Sequence, residues 1–454
     1  MNEAASDRRW SVLTAIGVGT FMSALDGSVV NTVLPVLGRE LHASVAAIEW
    51  VATVYLLVVS ALLLGVGRAG DLRGHKRMYI GGFVLFVIGS ALCGLARSAH
   101  MLVAMRALQG VGAAMLFANS PAILTKAFPA EQRGRALGAQ ATFTYLGLTA
   151  GPSLGGWLAD AFGWRAVFYI NVPVGAIGII LGLRAIEDDR PEKKGERFDY
   201  SGAALFTAGL VSLLVALDQG HAWGWRSPAT WSLLVLAAAL LAVFVRFERR
   251  RSDPMLDLTL FRSRVFSAAT VSGLLNYICV FSVLFVVPFL LIEGRGLDTS
   301  HAGLVLTAQP IVMAIVAPIS GALSDRIGSR SLATAGMLIL AAGLFIIARL
   351  APTGSLFVIA GGLAVVGLGV GLFASPNNSA LMGAAPRHRQ GIAAGVLATA
   401  RNVGMVLGIG VSGAVFTTIL ARGGPHALVR GVQASLYVSA ALAAIGAVTA
   451  FVRE

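Results

Sequence analysis

Two opposite charges stand inside otherwise apolar stretches of this sequence. Asp26 lies near the middle of an apolar run from about residue 12 to 37, and Arg106 lies within another from about 101 to 125. A carboxylate at such a depth in a membrane costs roughly 2.5–3.5 kcal/mol on insertion scales. Residues of this kind face a water-filled cavity or a partner, and they bind protons or substrate. Desolvation raises the proton affinity of a carboxylate and a nearby cation lowers it. Moving Asp26 between two such environments would load a proton on one side and release it on the other; a fixed structural ion pair is the alternative. Arg106 does not titrate usefully, but it can tune a neighbouring acid. Gln109 and Gly110 share its helix face at i+3 and i+4. Arg401, early in a later apolar run, either serves a cavity or snorkels to the nearer membrane face. Glu49, directly before Trp50, is a candidate entry group for protons or cations.

The elements that carry these residues must be membrane helices. The chain of 454 residues is 56% hydrophobic and 13% charged, whereas soluble domains carry about 25% charged residues. A surface so poor in charge is tolerable when most of it faces lipid. Apolar runs of ~20 residues suffice to cross a bilayer, and they recur near 12–37, 46–67, 78–96, 101–125, 137–159, 166–186, 200–217, 230–247, 265–292, 301–323, 331–349, 355–383, 391–420 and 431–452. Fourteen spans put both termini on one side. With that side cytoplasmic, twenty-five of the 35 basic residues fall inside, as the positive-inside rule requires. The expected location is the inner or plasma membrane, multi-pass. Trp50, Trp157, Trp164, Trp223, Trp225 and Trp231 map to outer boundaries and Trp10 to an inner one, as interfacial anchors.

The run is internally repeated. Gly67-Arg-Ala-Gly-Asp71-Leu-Arg-Gly74-His-Lys76-Arg77 follows the second span, and Gly321-Ala-Leu-Ser-Asp325-Arg-Ile-Gly328-Ser-Arg330 follows the tenth. Gly110 and Gly112 match Gly367 and Gly369; Gly147 and Gly151 match Gly404 and Gly408. Such symmetry is expected of transporters built from repeats. It divides the chain into an N-terminal six-helix bundle (1–187), a linker with two inserted helices (188–264) and a C-terminal six-helix bundle (265–454). The fold class is all-α, two pseudo-symmetric bundles plus the insert. Asp71 and Asp325 sit in tight turns near helix N-termini, where the dipole and nearby basic residues stabilise a carboxylate. Both loops are read as conformational latches rather than binding sites, with a purely topological role as the alternative. Gly147, Gly151 and Gly155 form a stripe that lets another backbone approach, and Pro152 removes one helical hydrogen bond. Asn31, Gln109, Asn276, Tyr277, Gln309, Asn377, Asn378 and Arg401 are candidates to line a cavity, or to join helices by hydrogen bonds.

These motifs, in this order, carry a resemblance. The chain resembles the fourteen-helix drug:proton antiporter family of the major facilitator superfamily over nearly its whole length. Leu25-Asp26-Gly-Ser-Val-Val-Asn31-Thr-Val-Leu-Pro35 is similar to the family's first-helix signature, and Arg106 to Gly110 resembles the fourth-helix motif. Gly147 to Gly156, with Gly151, Pro152 and Gly155, resembles the fifth-helix antiporter motif; Asn171-Val-Pro173 also fits. Glu49 departs from the family, which usually has an uncharged residue there. The resemblance implies a role for Arg106 in proton coupling, and a fifth helix whose packing seals the face between bundles. It implies proton-driven efflux of small organic compounds by alternating access, working as a monomer in lipid. With Asp26 the only deep acid, a lipophilic cation or amphiphilic antibiotic is the expected cargo. An exporter or facilitator of an endogenous metabolite, peptide or lipid is the alternative. Cys93 and Cys279 both lie in apolar runs, so no metal site is expected. No phosphate-loop pattern is present, so no cofactor is expected and the proton gradient would supply the drive. No basic stretch interleaved with aromatics suggests nucleic acid, and no nucleophile set suggests an enzyme.

Overall fold

The computed structural model describes residues 3–43, 45–189, 198–224, 227–251, 254–297, 299–350, 355–424 and 426–452. In the first half the helices are α1 (Glu3–Glu40), α2 (Val45–Arg73), α3 (His75–Gly94), α4 (Ala99–Ala127), α5 (Arg133–Phe162), α6 (Ala166–Tyr169) and α7 (Asn171–Ala185). The insert contributes α8 (Tyr200–Trp223) and α9 (Pro228–Glu248). The second half holds α10 (Arg264–Phe289), α11 (Thr299–Leu306), α12 (Ala308–Ile327), α13 (Ser329–Leu350), α14 (Leu356–Ala384), α15 (Gln390–Ala421) and α16 (Ala427–Phe451). Among the described residues, thirteen spans are long and apolar enough to cross a membrane. The fourteenth is α5, whose 30 residues reach about 45 Å but include glycines, threonines and a glutamine that dilute its hydropathy.

Proline explains why two expected spans are broken. The sixth parts between Tyr169 and Asn171, and the tenth between Leu306 and Ala308. Pro173 and Pro310 have no N–H to return to the carbonyls of Tyr169 and Leu306. Other helix starts are capped by side chains that accept the orphan amides. Ser98 accepts from Met101 at 3.2 Å and Asp199 from Gly202 at 3.0 Å.

Within the first half, α1 packs on α5, and α4 packs on both α2 and α3. The second half repeats this with α10 on α15, and α14 on both α12 and α13. Between the halves, α2 meets α15 and α5 meets α12. The inserted α8 and α9 pack on each other, and α8 also touches α2 and α15.

The glycine stripe of α5 is used differently from expectation. A Cβ on Gly147 or Gly151 would strike Phe21, Ala24 or Ser28 of α1, so the stripe closes α5 on its own bundle rather than sealing the face between bundles. Gly404 and Gly408 likewise close α15 on Leu274, Tyr277 and Ile278 of α10. Gly155 meets Val29, whereas Gly156 has open space around it. The side chain of Pro152 lies outside the described residues. Trp164 is also not the interfacial anchor expected. It is buried in an apolar cluster with Leu158 and Phe168, edge-on to the Phe168 ring at 6.1 Å and beneath the Arg165 guanidinium at 4.3 Å, and this packing takes it from the interface. Trp10, Trp157, Trp223 and Trp231 are exposed and Trp50 is half-buried, whereas Trp225 lies outside the described residues.

Candidate functional site

Asp26 is enclosed by protein. It is 1% exposed, and its Oδ2 meets Arg106 Nη1 at 2.6 Å. Its Oδ1 accepts from Gln109 Nε2 at 2.9 Å and from Asn171 Nδ2 at 2.8 Å. Arg106 in turn donates to Gln109 Oε1 at 2.7 Å and to the Val51 carbonyl at 3.1 Å, and its guanidinium stacks on Tyr55 at 4.1 Å. Asn171 also donates to Ser90 at 3.0 Å. The helices α1, α2, α3, α4 and α7 thus converge on one carboxylate. Local sequence explains each arrival. The Pro173 break sets Asn171 at the start of α7, and i+3 spacing places Gln109 beside Arg106. A buried ion pair survives only with its remaining hydrogen-bonding capacity filled, and here it is filled on both oxygens.

Asp26 therefore points into its own bundle, not into a hydrated cleft as expected from sequence. The reason is local: the donors that satisfy it lie on α4 and α7, on the bundle side of α1.

The central cavity lies elsewhere. Its walls are Thr20, Phe117, Pro121, Leu137, Gln140, Ala141, Thr144, Tyr145, Tyr277, Ala374, Asn378, Ala394, Leu397, Ala398 and Arg401, around about 670 Å³ of empty space, open mouth included. Thr20 is on the same helix as Asp26, six residues earlier, which is roughly 9 Å along the axis. Most walls come in pairs at one constant sequence offset: Phe117 with Ala374, Pro121 with Asn378, Gln140 with Leu397, Thr144 with Arg401. The cavity therefore sits on the axis that relates the halves. Arg401 lies over the Phe117 ring at 4.9 Å rather than snorkelling to a membrane face.

Of the expected lining residues, Tyr277, Asn378 and Arg401 line this cavity. Asn377 does not, because the next position on a helix is turned by about 100°. It donates to the Ala269 carbonyl at 3.0 Å and accepts from Ser272 at 3.1 Å, joining α14 to α10. Asn276 is buried beside Met337 at 3.5 Å and Gln309 beside Met313 at 3.9 Å, and neither reaches the cavity. Gln109 belongs to the Asp26 cluster. The side chains of Asn31 and Glu49 lie outside the described residues. Tyr55, Ser90 and the cavity residues Gln140, Thr144 and Tyr145 were not anticipated. Asn171 carries a sequence signal only through the Asn171-Val-Pro173 motif.

The two loops join the halves at one end. Asp71 accepts from the Gly391 and Ile392 amides at 2.8 and 3.0 Å, so it caps α15 of the other bundle. Asp325 accepts from the Gly134 and Arg135 amides at 2.9 and 3.0 Å, capping α5 in the opposite direction. Next to these caps Gly67 faces Gly391 and Gly321 faces Gly134, and at all four a Cβ would meet facing backbone. Gly74 and Gly328 close the turns at φ of 93° and 85°, a region that side chains disfavour. Lys76 pairs with Asp188 at 3.0 Å, Arg77 is exposed, and Arg330 lies on the Phe451 ring at 4.4 Å. At this same end Asp189 accepts from the His75 and Lys76 amides at 2.9 and 3.2 Å and pairs with Lys126 at 3.2 Å. Burial works against the Asp189 charge, but the His75 amide and ring, the Lys76 amide and the Lys126 ammonium hold its carboxyl below the usual range.

Comparisons with known proteins agree with this geometry. The model of the Major Facilitator Superfamily matches residues 16–409 and 269–454. The chain is 34% identical to the riboflavin transporter RibZ of Clostridioides difficile over 88% of its own length and 87% of that protein's. It is 36% identical to the multidrug resistance protein Stp of Mycobacterium tuberculosis, covering 90% of the chain and 76% of the relative. The tetracenomycin C resistance and export protein of Streptomyces glaucescens is 32% identical, again over 90% and 76%. The proton:xylose symporter XylE shares the fold, with a TM-score of 0.69 at 14% identity over 98% of this chain and 95% of that one. The chain belongs to the major facilitator superfamily, within its drug-efflux family. It is a multi-pass membrane protein, and these relatives are transporters rather than enzymes.

Proposed function

We propose that this chain exports small organic compounds in exchange for protons, with no bound cofactor, by alternating access of the central cavity. The observation that carries the reading is the Asp26–Arg106 pair, completed by Gln109 and Asn171 inside a membrane bundle. Protonating Asp26 removes the charge that holds Arg106, so the five helices lose their common anchor. Deprotonation restores it. The basic end is the cytoplasmic one, with both termini there, and the paired caps at Asp71 and Asp325 hold it shut. The protein works as a monomer in lipid, and drugs or toxic amphiphiles are its cargo.

The test is transport in proteoliposomes under an imposed pH gradient. Asp26→Asn should insert normally and lose gradient-driven export. Undiminished export by that variant would defeat the reading. The RibZ relative favours a second reading, in which the cargo is an endogenous metabolite. A drug-susceptibility panel with and without the gene, together with metabolite profiling, separates the two.

A further inference from the structure

The fixed charge in the wall of the central cavity is positive. Arg401 is the one charged residue of that wall, and no described carboxylate lines it. Its Nε is buried without a hydrogen-bond partner, and its guanidinium lies over Phe117. Among the described residues no carboxylate forms an ion pair with it. Arg401 is half-buried, and a partly desolvated guanidinium with no carboxylate beside it favours a counter-charge. Asp26 does not supply one, because Arg106, Gln109 and Asn171 occupy both of its oxygens. The rest of the wall sets three aromatic rings, Phe117, Tyr145 and Tyr277, and the amides of Gln140 and Asn378 among aliphatic side chains such as Leu137 and Leu397.

A lipophilic cation entering this space meets a like charge and finds no acid. An anion meets a prepared partner. We infer that the cavity takes an aromatic organic anion, whose carboxylate, sulfonate or phenolate pairs with Arg401 while its rings pack against Phe117, Tyr145 and Tyr277. The inference rests on the export reading for the direction of transport alone. It also separates the two ligands in space: the proton belongs to Asp26 inside the first bundle and the cargo to Arg401 on the central axis. Opposite signs at separate places do not displace one another, so exchange follows from which end of the cavity is open. Tyr55 stacks on Arg106 at 4.1 Å, on the proton side of this division.

The experiment uses the full chain in nanodiscs and proteoliposomes with two planar probes, fluorescein as the anion and ethidium as the cation. Fluorescein should bind about tenfold or more tightly than ethidium, and Arg401→Gln should remove that margin while Arg401→Lys keeps most of it. Tighter binding of ethidium, or fluorescein affinity unchanged in Arg401→Gln, overturns the inference. Should Arg401→Gln fail to fold, the wild-type ranking together with Arg401→Lys and Tyr277→Leu decides it. Gradient-driven transport keeps the two claims apart. Ethidium export without fluorescein binding sinks the anion and leaves the exporter. Arg401-dependent fluorescein binding without gradient-driven movement of either probe does the reverse.

Discussion

Gly147 and Gly404 each press on the first helix of their own half, and the atoms they meet set the halves in register. Phe21 corresponds to Leu274, Ala24 to Tyr277 and Leu25 to Ile278. Asp26 then falls opposite Cys279, whose thiol donates to the Ser439 carbonyl at 3.1 Å. Gly110 and Gly367 extend the register, placing Tyr55 opposite Gln309, Arg106 opposite Leu363 and Gln109 opposite Val366. The first half thus holds an ion pair and its amides where the second holds a thiol and two aliphatic side chains. In the cavity the asymmetry reverses, with Thr144 on the first half facing the cation Arg401 on the second. The two caps, by contrast, remain equivalent, although only Asp71 also has a histidine ring, His75, at 3.5 Å. Symmetry is kept where the halves meet at the caps, and it is lost at the buried charges, where the proposed proton and cargo sites lie.

That contrast is broken most forcefully at Arg106. Arg106→Leu installs the second half's residue in the first, and it leaves the Asp26 carboxylate buried without its cation, a loss of about 3–5 kcal/mol. A large fall in thermal unfolding temperature is expected, with partial recovery in Arg106→Leu/Asp26→Asn. Cys279→Ser, at the position equivalent to Asp26, should change neither unfolding nor export by more than a small margin. Equal damage at both positions would mean that the halves do not divide the chemistry.

The loops provide the next largest effect. Asp71→Asn and Asp325→Asn each weaken two amide contacts to a carboxylate, and hydrogen bonds to charged groups are worth about 1.5–3 kcal/mol. The two variants should shift the population away from the closed basic end by similar amounts, and the double variant by more. Spin-label distances across α2–α15 and α5–α12 would report this. A response at one cap alone would end the claim that the two caps are equivalent.

Glycine substitutions sharpen the picture on a smaller scale. Gly151→Ala meets Ser28, and its counterpart Gly408→Ala meets the Ile278 backbone, whereas Gly156→Ala meets nothing. Unfolding temperature should fall for the first two and hold for the third. The smallest effect belongs to Asp189. Its carboxyl is held below the usual range, so the contact with α3 contributes fully above pH of about 3.9 and is lost as pH falls through the native value. Asp189→Asn should lower the unfolding temperature modestly at pH 7 and flatten its decline in acid. An unchanged acid limb would show that the contact contributes nothing.

Most of the fold was legible because membrane helices announce themselves by length and apolarity. The α5 span was recovered despite its glycines, since the charge alternation required a crossing there. The breaks at Tyr169 and Leu306 were not anticipated, although Pro173 and Pro310 carry the signal. At the site, spacing placed Gln109 beside Arg106, and the depth of Asp26 singled it out. Its direction was not legible, because a single polar residue on a nearly uniform apolar helix gives no face to read. Asn377 and Asn378 show the same limit, as neighbours of equal polarity that turn to different surroundings. The caps at Asp71 and Asp325 pair residues far apart in the chain, which no local pattern encodes.

The placement of α8 has a mechanical corollary. It touches α2 of one bundle and α15 of the other, and Thr207 donates to the Ala61 carbonyl at 3.1 Å. Any gap opening between α2 and α15 must make α8 slip along one of them or travel with it. Its companion α9 turns Trp231, Val235, Leu236 and Val243 outward. On the export reading proposed above, the extra pair of helices would be geared to the opening of that gap, and clamping it, by an antibody fragment or a thicker bilayer, would slow transport without obstructing the central cavity.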